Sequence, residues 1–427
     1  MTILLLFACV LALVVIDVPI AVSLGIVAVV AMIVTQGFAS LPNLPIVIYN
    51  GALNFPLIAI PLFILAGAIM NASGISQRLI ALASAVLGFV RGGLAMVSIG
   101  ASMFFAEISG SAVADVSALG SILIPAMKGK GYPAPVAAAI MSSAATLAVI
   151  IPPSIPMILY AVMAETSVVK LFVAGIVPGI VGGLGLMGMA YHFARRYKLP
   201  REEAFQWARV RRTFREAFWA LTLPLIILGA IFGGVVTATE GAALAVIAAL
   251  FIGLVVYREL DLKHLKAAMI EGGVQTAVVM MLVAASALLG SYLTEIQAPQ
   301  QLARAITEIT TNKWFVLALL NLLFLLLGMF LHSAAAIILV VPVVMPVVRA
   351  VGIDPVHFGL IVTINLGIGQ QTPPVASVLM VACSIARASV WEVTKVNIYF
   401  IGVLLAVLLM VTYVPITGLG LVHYFYP

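Results

Sequence analysis

The chain has 427 residues, of which 64% are hydrophobic and only 8% charged, with a formal net charge of +6. Soluble globular domains carry about 25% charged residues, so a water-facing globule is excluded and a bilayer is required. The basic residues sit beside apolar segments, where anionic lipid headgroups account for them, so the net charge does not signify nucleic-acid binding.

Apolar stretches long enough to cross about 30 Å of hydrocarbon follow one another along the chain. In order, the sequence predicts spans at 2–16, 18–36, 54–71, 136–163 and 170–193, then 221–237, 239–257, 274–293, 357–383 and 396–422. Two more stretches, 94–125 and 314–348, are interrupted near the middle by small and polar residues and read as re-entrant helical hairpins. Runs such as Val403–Val411 are continuously apolar and rich in Leu. That pattern favours helices over a transmembrane barrel, which alternates with period 2. No basic residue precedes the apolar run Ile3–Val15, so 2–16 is expected to be a retained span. Cys9 and Cys383 fall in predicted spans and read as small packing residues, neither disulfide nor metal site.

The second set of spans repeats the first at a constant offset of 221 positions. Pro125 pairs with Pro346, Lys128 with Arg349, Gly131 with Gly352, Gly51 with Gly272, and Pro152-Pro153 with Pro373-Pro374. Residues 1–206 thus correspond to about 222–427, a device known from transporter folds. The predicted fold is an all-α polytopic membrane protein of two repeats, each with about five spans and one re-entrant hairpin. The first repeat is placed at 1–194, with its hairpin about 94–125 and a broken helix about 136–163. The second is placed at 221–427, with its hairpin about 314–348 and a broken helix about 357–383.

Between them, 195–220 holds Arg195, Arg196, Lys198, Arg201, Arg209, Arg211, Arg212 and Arg215, interleaved with Phe205, Trp207, Phe214, Phe218 and Trp219. This pattern predicts a basic amphipathic helix on the cytoplasmic membrane surface. Positive side chains accumulate in short cytoplasmic loops. With the linker inside and five crossings per half, Arg78, Arg91, Lys128, Lys130, Arg258, Lys263, Lys266, Arg387 and Lys395 are also inside. Of the 21 Lys and Arg, only Lys170, Arg304, Lys313 and Arg349 are left outside, and the N-terminus is predicted outside. Five crossings is an odd number, so the second half is inverted relative to the first.

Two kinds of broken backbone mark candidate chemistry. One is the hairpin tips, 104–115 and 328–336. The other is Ile150-Ile-Pro-Pro-Ser154 and Gly367-Ile-Gly-Gln-Gln-Thr-Pro-Pro374. Proline removes a donor and clashes with the preceding turn, and unwound backbone in a membrane must line a cavity or an ion site. Freed carbonyl and hydroxyl oxygens suit Na⁺, and the N-termini of half-helices suit a carboxylate. Some positions admit two readings. Ser109, Gly110 and Ser111 fit a binding tip or a close-packing motif. His332 fits a ligand contact or an interfacial histidine. Glu107 and Asp115 fit a functional acid or a helix-end packing role. Asp17, Glu165 and Glu240 lie near span ends and are expected to face water. No Walker-type loop suggests direct ATP drive, and no His, Cys or carboxylate spacing suggests a transition-metal site.

The Ser-Gly-Ser hairpin with its downstream Ala-Asp, the stretch Ala145 to Tyr160, and Asn365-Leu-Gly-Ile-Gly-Gln-Gln-Thr-Pro-Pro-Val375 resemble the large membrane subunit (DctM-like) of TRAP transporters, over essentially the whole chain. The resemblance implies an elevator with a static scaffold and a sliding transport domain. It implies a small four-helix membrane subunit and a periplasmic substrate-binding protein as partners, Na⁺ as coupling ion, and an inner-membrane location. It implies ion and substrate sites at Ser109, Gly110, Ser111, Thr146, Pro152, Pro153 and Ser154 in the first half. In the second half it implies Gly328, His332, Ser333, Asn365, Gly367, Gly369, Thr372, Pro373 and Pro374. Gln370, Gln371 and Ala376 depart from the family pattern, which commonly has a hydrophobic residue before Thr-Pro-Pro and a Gly after the Val. The expected cargo is an organic acid or related anionic or zwitterionic solute. The alternative is a stand-alone proton- or Na⁺-driven organic-anion transporter of the same superfamily. An enzyme would need a cluster of Asp, His or Glu within the spans, which the sequence lacks, and a channel would be betrayed by its conduction rate.

Overall fold

The structure is a computed structural model that describes residues 2–16, 18–201 and 204–426, with side chains described for all but 2–4, 15 and 107–109. Asp17 lies outside the described residues. The first half contains α1 (Thr2–Val15), α2 (Ile20–Gln36), α3 (Leu44–Ala52), α4 (Ala59–Ala72), α5 (Ile75–Leu87), α6 (Gly93–Ser109), α7 (Ala112–Gly129), α8 (Ala134–Thr146), α9 (Ile155–Met163) and α10 (Val168–Arg196). The second contains α11 (Trp207–Phe232), α12 (Ala238–Phe251), α13 (Leu262–Glu295), α14 (Ala298–Ile309), α15 (Lys313–Phe330), α16 (Ser333–Ala350), α17 (Pro355–Gly369), α18 (Ser377–Ala386), α19 (Val390–Tyr413) and α20 (Ile416–Phe425). Among the described residues, 9 helices are long and apolar enough to cross a membrane, by length and composition.

The helix order repeats at the predicted offset. α6 and α7 map onto α15 and α16, and α8 and α9 onto α17 and α18. The packing is reciprocal under the same offset. α4 packs on α12 and α13 on α2, while α9 packs on α16 and α18 on α7. A β-carbon at Gly51 would meet Ala287, and one at its partner Gly272 would meet Leu65. At the hairpin ends, Lys128 Nζ donates to the Ala386 carbonyl at 2.7 Å, and Arg349 Nη2 donates to the Ala164 carbonyl at 3.0 Å. Each basic side chain thereby covers a free carbonyl at the C-terminus of the other half's short helix, where a cation is favoured. Such i-to-j and j-to-i contacts define a pseudo-two-fold axis.

Three elements differ from expectation. The linker is not a separate surface helix. Arg195 and Arg196 close α10, the chain breaks around Pro200, and α11 runs from Trp207 into the span as one helix. No Pro or Gly stands between Trp207 and Pro224 to interrupt it. The stretch 396–422 is two helices, α19 and α20, because Pro415 ends the run. The span 274–293 is the core of a 34-residue helix, α13, started by Asp261, whose side chain accepts from the His264 amide. At 1.5 Å per residue it is about 50 Å long, so its first turns extend beyond the hydrocarbon.

Glu165 is largely exposed and Glu240 closes a capping box with Thr237, both as expected for water-facing ends. At the start of α5, Arg78 forms a two-pronged pair with Glu259, at 3.1 and 2.7 Å, and lies 3.8 Å from the centroid of the Tyr257 ring. The Arg78 guanidinium holds the Glu259 carboxyl below the usual carboxylate range. This clamp fixes α5, which links α4 to the first hairpin, to the loop preceding α13.

Candidate functional site

Both hairpins turn where their sequences leave the helical region. Gly110 adopts a left-handed φ of 57°, and Ser111 caps α7 by accepting from the Ala114 amide at 3.5 Å. At the second tip Leu331 and His332 are extended and α16 restarts at Ser333. The side chains of Glu107 and Ser109 lie outside those described.

Each tip rests on the broken helix of its own half. A β-carbon at Gly110 would lie 3.0 Å from the Ile155 nitrogen and 3.2 Å from the Pro153 oxygen. One at Gly328 would lie 3.0 Å from the Gly369 Cα and 3.2 Å from the Leu366 Cα. The Val375 and Ala376 amides donate to the Met329 carbonyl at 3.2 and 3.4 Å.

The Pro-Pro segments are not continuous α-helix. α8 gives way at Leu147 to a short 3₁₀ turn, Pro152-Pro153 is cis, and α9 begins at Ile155. Ser154 Oγ donates to the Val149 carbonyl at 2.9 Å. α17 ends at Gly369, Pro373-Pro374 is also cis, and α18 begins at Ser377. Thr372 Oγ1 donates to Ile368 at 2.8 Å. The first break is enclosed throughout, but Pro374 and Val375 lie at the surface, contrary to the expectation that all unwound backbone is sheltered. Exposure is tolerated there because proline has no amide and the Val375 amide is already bonded.

The two breaks meet, since a β-carbon at Gly367 would lie 2.9 Å from Thr146 Cγ2. Thr146 Oγ1 donates to Ser142 at 3.1 Å. Asn365 is fully buried and its Nδ2 donates to Asn321 Oδ1 at 2.6 Å and Ile361 at 2.9 Å. Asn321 Nδ2 in turn donates to Thr412. Asn365 Oδ1 has no hydrogen-bond partner among the described residues, a costly arrangement for a buried acceptor.

Eleven of the sixteen predicted residues fall into two groups. Gly110, Ser111, His332 and Ser333 line a cavity of about 630 Å³ that also reaches Pro156 and Gln370. Thr146, Pro152, Pro153, Ser154, Asn365, Gly367 and Gly369 are buried away from it. Asp115 is buried in the first turn of α7.

Several polar groups lie outside the predicted site residues, although the sequence already marks Gln370 and Gln371 as departures from the family pattern. Gln370 Nε2 donates to the Ser333 hydroxyl. Gln371 Oε1 is reached by Ser143 Oγ at 2.8 Å and Asn397 Nδ2 at 3.2 Å, joining α8, the second break and α19. Glu271, Gln275 and Asn71 line the far wall of the cavity.

Ala376 stands at φ 48° and is buried, which explains why glycine suits that position: a side chain there is strained. Ala376→Val should cost about 2 kcal/mol or more, whereas Ala376→Gly, which trades relieved strain against a lost methyl contact, should shift stability by less than about 1 kcal/mol. Thermal unfolding of the purified protein checks both.

Paired hairpins and paired broken helices around one cavity define a helical membrane transporter. A family model described as "Tripartite ATP-independent periplasmic transporter, DctM component" matches residues 7–417, and the chain belongs to that family. It is 42% identical over 405 residues to the isethionate TRAP transporter permease protein DctMQ of Oleidesulfovibrio alaskensis, covering 94% of this chain and 63% of that protein's length. It is 39% identical over 382 residues to the C4-dicarboxylate TRAP transporter large permease protein DctM of Pseudomonas aeruginosa, covering 90% of both. In three dimensions it resembles the Alcanivorax borkumensis YdaH transporter, described as having an unusual topology. The TM-score is 0.62 at 16% identity over 90% of each chain, which speaks to the fold alone. It is a permease of multi-pass type, not an enzyme.

Proposed function

We propose that the chain is the large subunit of a Na⁺-coupled, binding-protein-dependent importer of an organic acid, isethionate-like sulfonate or related small solute, working by an elevator motion in the inner membrane with its N-terminus outside. A small four-helix membrane subunit and a periplasmic substrate-binding protein complete it. The observation that carries this reading is the junction of the two breaks, where Gly367 backs onto Thr146 and Asn365 Oδ1 is a buried acceptor with no donor. Carbonyl, amide and hydroxyl oxygens are the donor set of a hard monovalent cation. Thr146, Ser154, Asn365 and Thr372 supply such groups, and Ser111, His332 and Ser333 face the solute. Packing supports the motion. α1–α4 and α11–α13 pack on one another, whereas the hairpins pack on the broken helices, so two bodies meet along the cavity.

Reconstitution with partner subunits tests it. Uptake should require an inward Na⁺ gradient, and uptake that proceeds equally without one overturns the coupling. Uptake by this chain alone would favour a stand-alone transporter. Thr146→Val and Asn365→Leu should each raise the Na⁺ concentration for half-maximal uptake by roughly tenfold, equivalent to about 1.4 kcal/mol, with less effect at saturating Na⁺.

A further inference from the structure

The cavity has one wall from the transport helices and another from the scaffold. The scaffold wall carries Asn71 from α4 and Glu271 and Gln275 from α13. Gln275 Nε2 donates to Glu271 Oε1 at 3.4 Å, one turn along the helix. Among the described residues that line the cavity, Glu271 and His332 are titratable and none is Lys or Arg. A solute bearing a carboxylate therefore meets a fixed negative charge with no lining cation to offset it. A cavity of about 630 Å³ is comparable in width to the Debye length at 0.1 M salt, about 10 Å, so the charge is felt throughout it.

The repeat supplies a contrast. At the offset of 221, Glu271 corresponds to Asn50 and Gln275 to Asn54, both exposed. The pseudo-two-fold axis thus sets a carboxylate on one end of the scaffold and an amide on the other. Glu271 lies on the end that follows Lys263 and Lys266, and Asn71 lies just before Arg78. The positive-inside rule puts that end at the cytoplasm.

We propose that Glu271 is a release residue. Its carboxylate, on the static wall, weakens the hold on an anionic solute in the conformation seen here. Asn50 leaves the opposite conformation free of that repulsion, so the asymmetry favours delivery into the cytoplasm. The direction rests on the import reading above, but the charge of the cavity does not.

The test uses the full chain with Cys9→Ser, since Cys9 is exposed and Cys383 buried. Ser117→Cys then puts a thiol on the cavity wall. Its reaction rates with cationic and anionic methanethiosulfonate reagents are compared at about pH 8, where an ordinary histidine is neutral. Glu271→Gln should lower the cation-to-anion rate ratio roughly fivefold or more. Glu271→Asp, which keeps the charge, should preserve the ratio, and about 1 M salt, with a Debye length of about 3 Å, should shrink the difference. An unchanged ratio in Glu271→Gln, or a thiol that reacts with neither reagent, overturns the proposal. Succinate is then added as protectant. The concentration that half-protects the thiol should fall roughly fivefold in Glu271→Gln, and failure of succinate to protect that variant overturns the release role. Loss of the import reading would show separately, as an absence of Na⁺-dependent uptake by the unmodified chain, while the reagent ratio would still respond to Glu271→Gln.

Discussion

Gly369→Val should lower the stability of the purified protein by about 3 kcal/mol and reduce uptake in proteoliposomes to below about one-tenth. The reason is the absence of anything that can give way. A β-carbon at Gly369 would lie 2.5 Å from both the Cα and the carbonyl carbon of Gly328 and 3.0 Å from its oxygen. These are backbone atoms of α15, so relief requires the hairpin to lift off the second break. Lifting it would also cost the bonds from the Val375 and Ala376 amides to Met329. Gly402→Ala is the control, because a β-carbon there meets nothing within 4 Å, and it should leave both readouts unchanged. Wild-type stability in Gly369→Val would mean that the hairpin and the break are not in contact.

The second large effect is expected at the buried amide network. Asn397→Leu should cost about 3 kcal/mol and Ser143→Ala about 1–2 kcal/mol, read from thermal or denaturant unfolding. Both Ser143 and Asn397 are fully buried. Asn397 Nδ2 donates to the Gln371 backbone oxygen and to its Oε1, each at 3.2 Å. Removing it strands the Gln371 backbone oxygen where no water reaches and leaves Oε1 with Ser143 as its donor. Ser143→Ala combined with Gln371→Leu should be less destabilising than the sum of the single changes, because the apolar pair leaves fewer polar atoms unmet. Additive costs would show that Ser143 and Gln371 do not interact.

Much of the fold could be read from the residues themselves. Pro152-Pro153 and Pro373-Pro374 interrupt α-helix wherever they stand, so the broken helices were visible locally. The offset joining Lys128 to Arg349 and Gly51 to Gly272 exposed the repeat without any knowledge of contacts. Helix ends were less legible. Asp261 starts α13 well before the apolar core of the span, and no apolar pattern reports a helix that continues into the headgroup region. The site was legible as backbone and illegible as side-chain partnership. Ser143 and Asn397 are 254 positions apart, and nothing local in either tells that Gln371 lies between them. Glu271 was passed over for a similar reason: its importance comes from the cavity it faces, which only the packing of α13 against the hairpin tips creates.

The mutual caps of Lys128 on Ala386 and Arg349 on Ala164 carry a consequence for biogenesis. When the ribosome has released only the first half, α9 ends on a carbonyl whose cationic cover is still unsynthesised, and α7 lacks the helix it will lean on. Neither half can reach its final packing by itself. The early helices therefore reach their final packing only once Arg349 and the helices of the second half have been made.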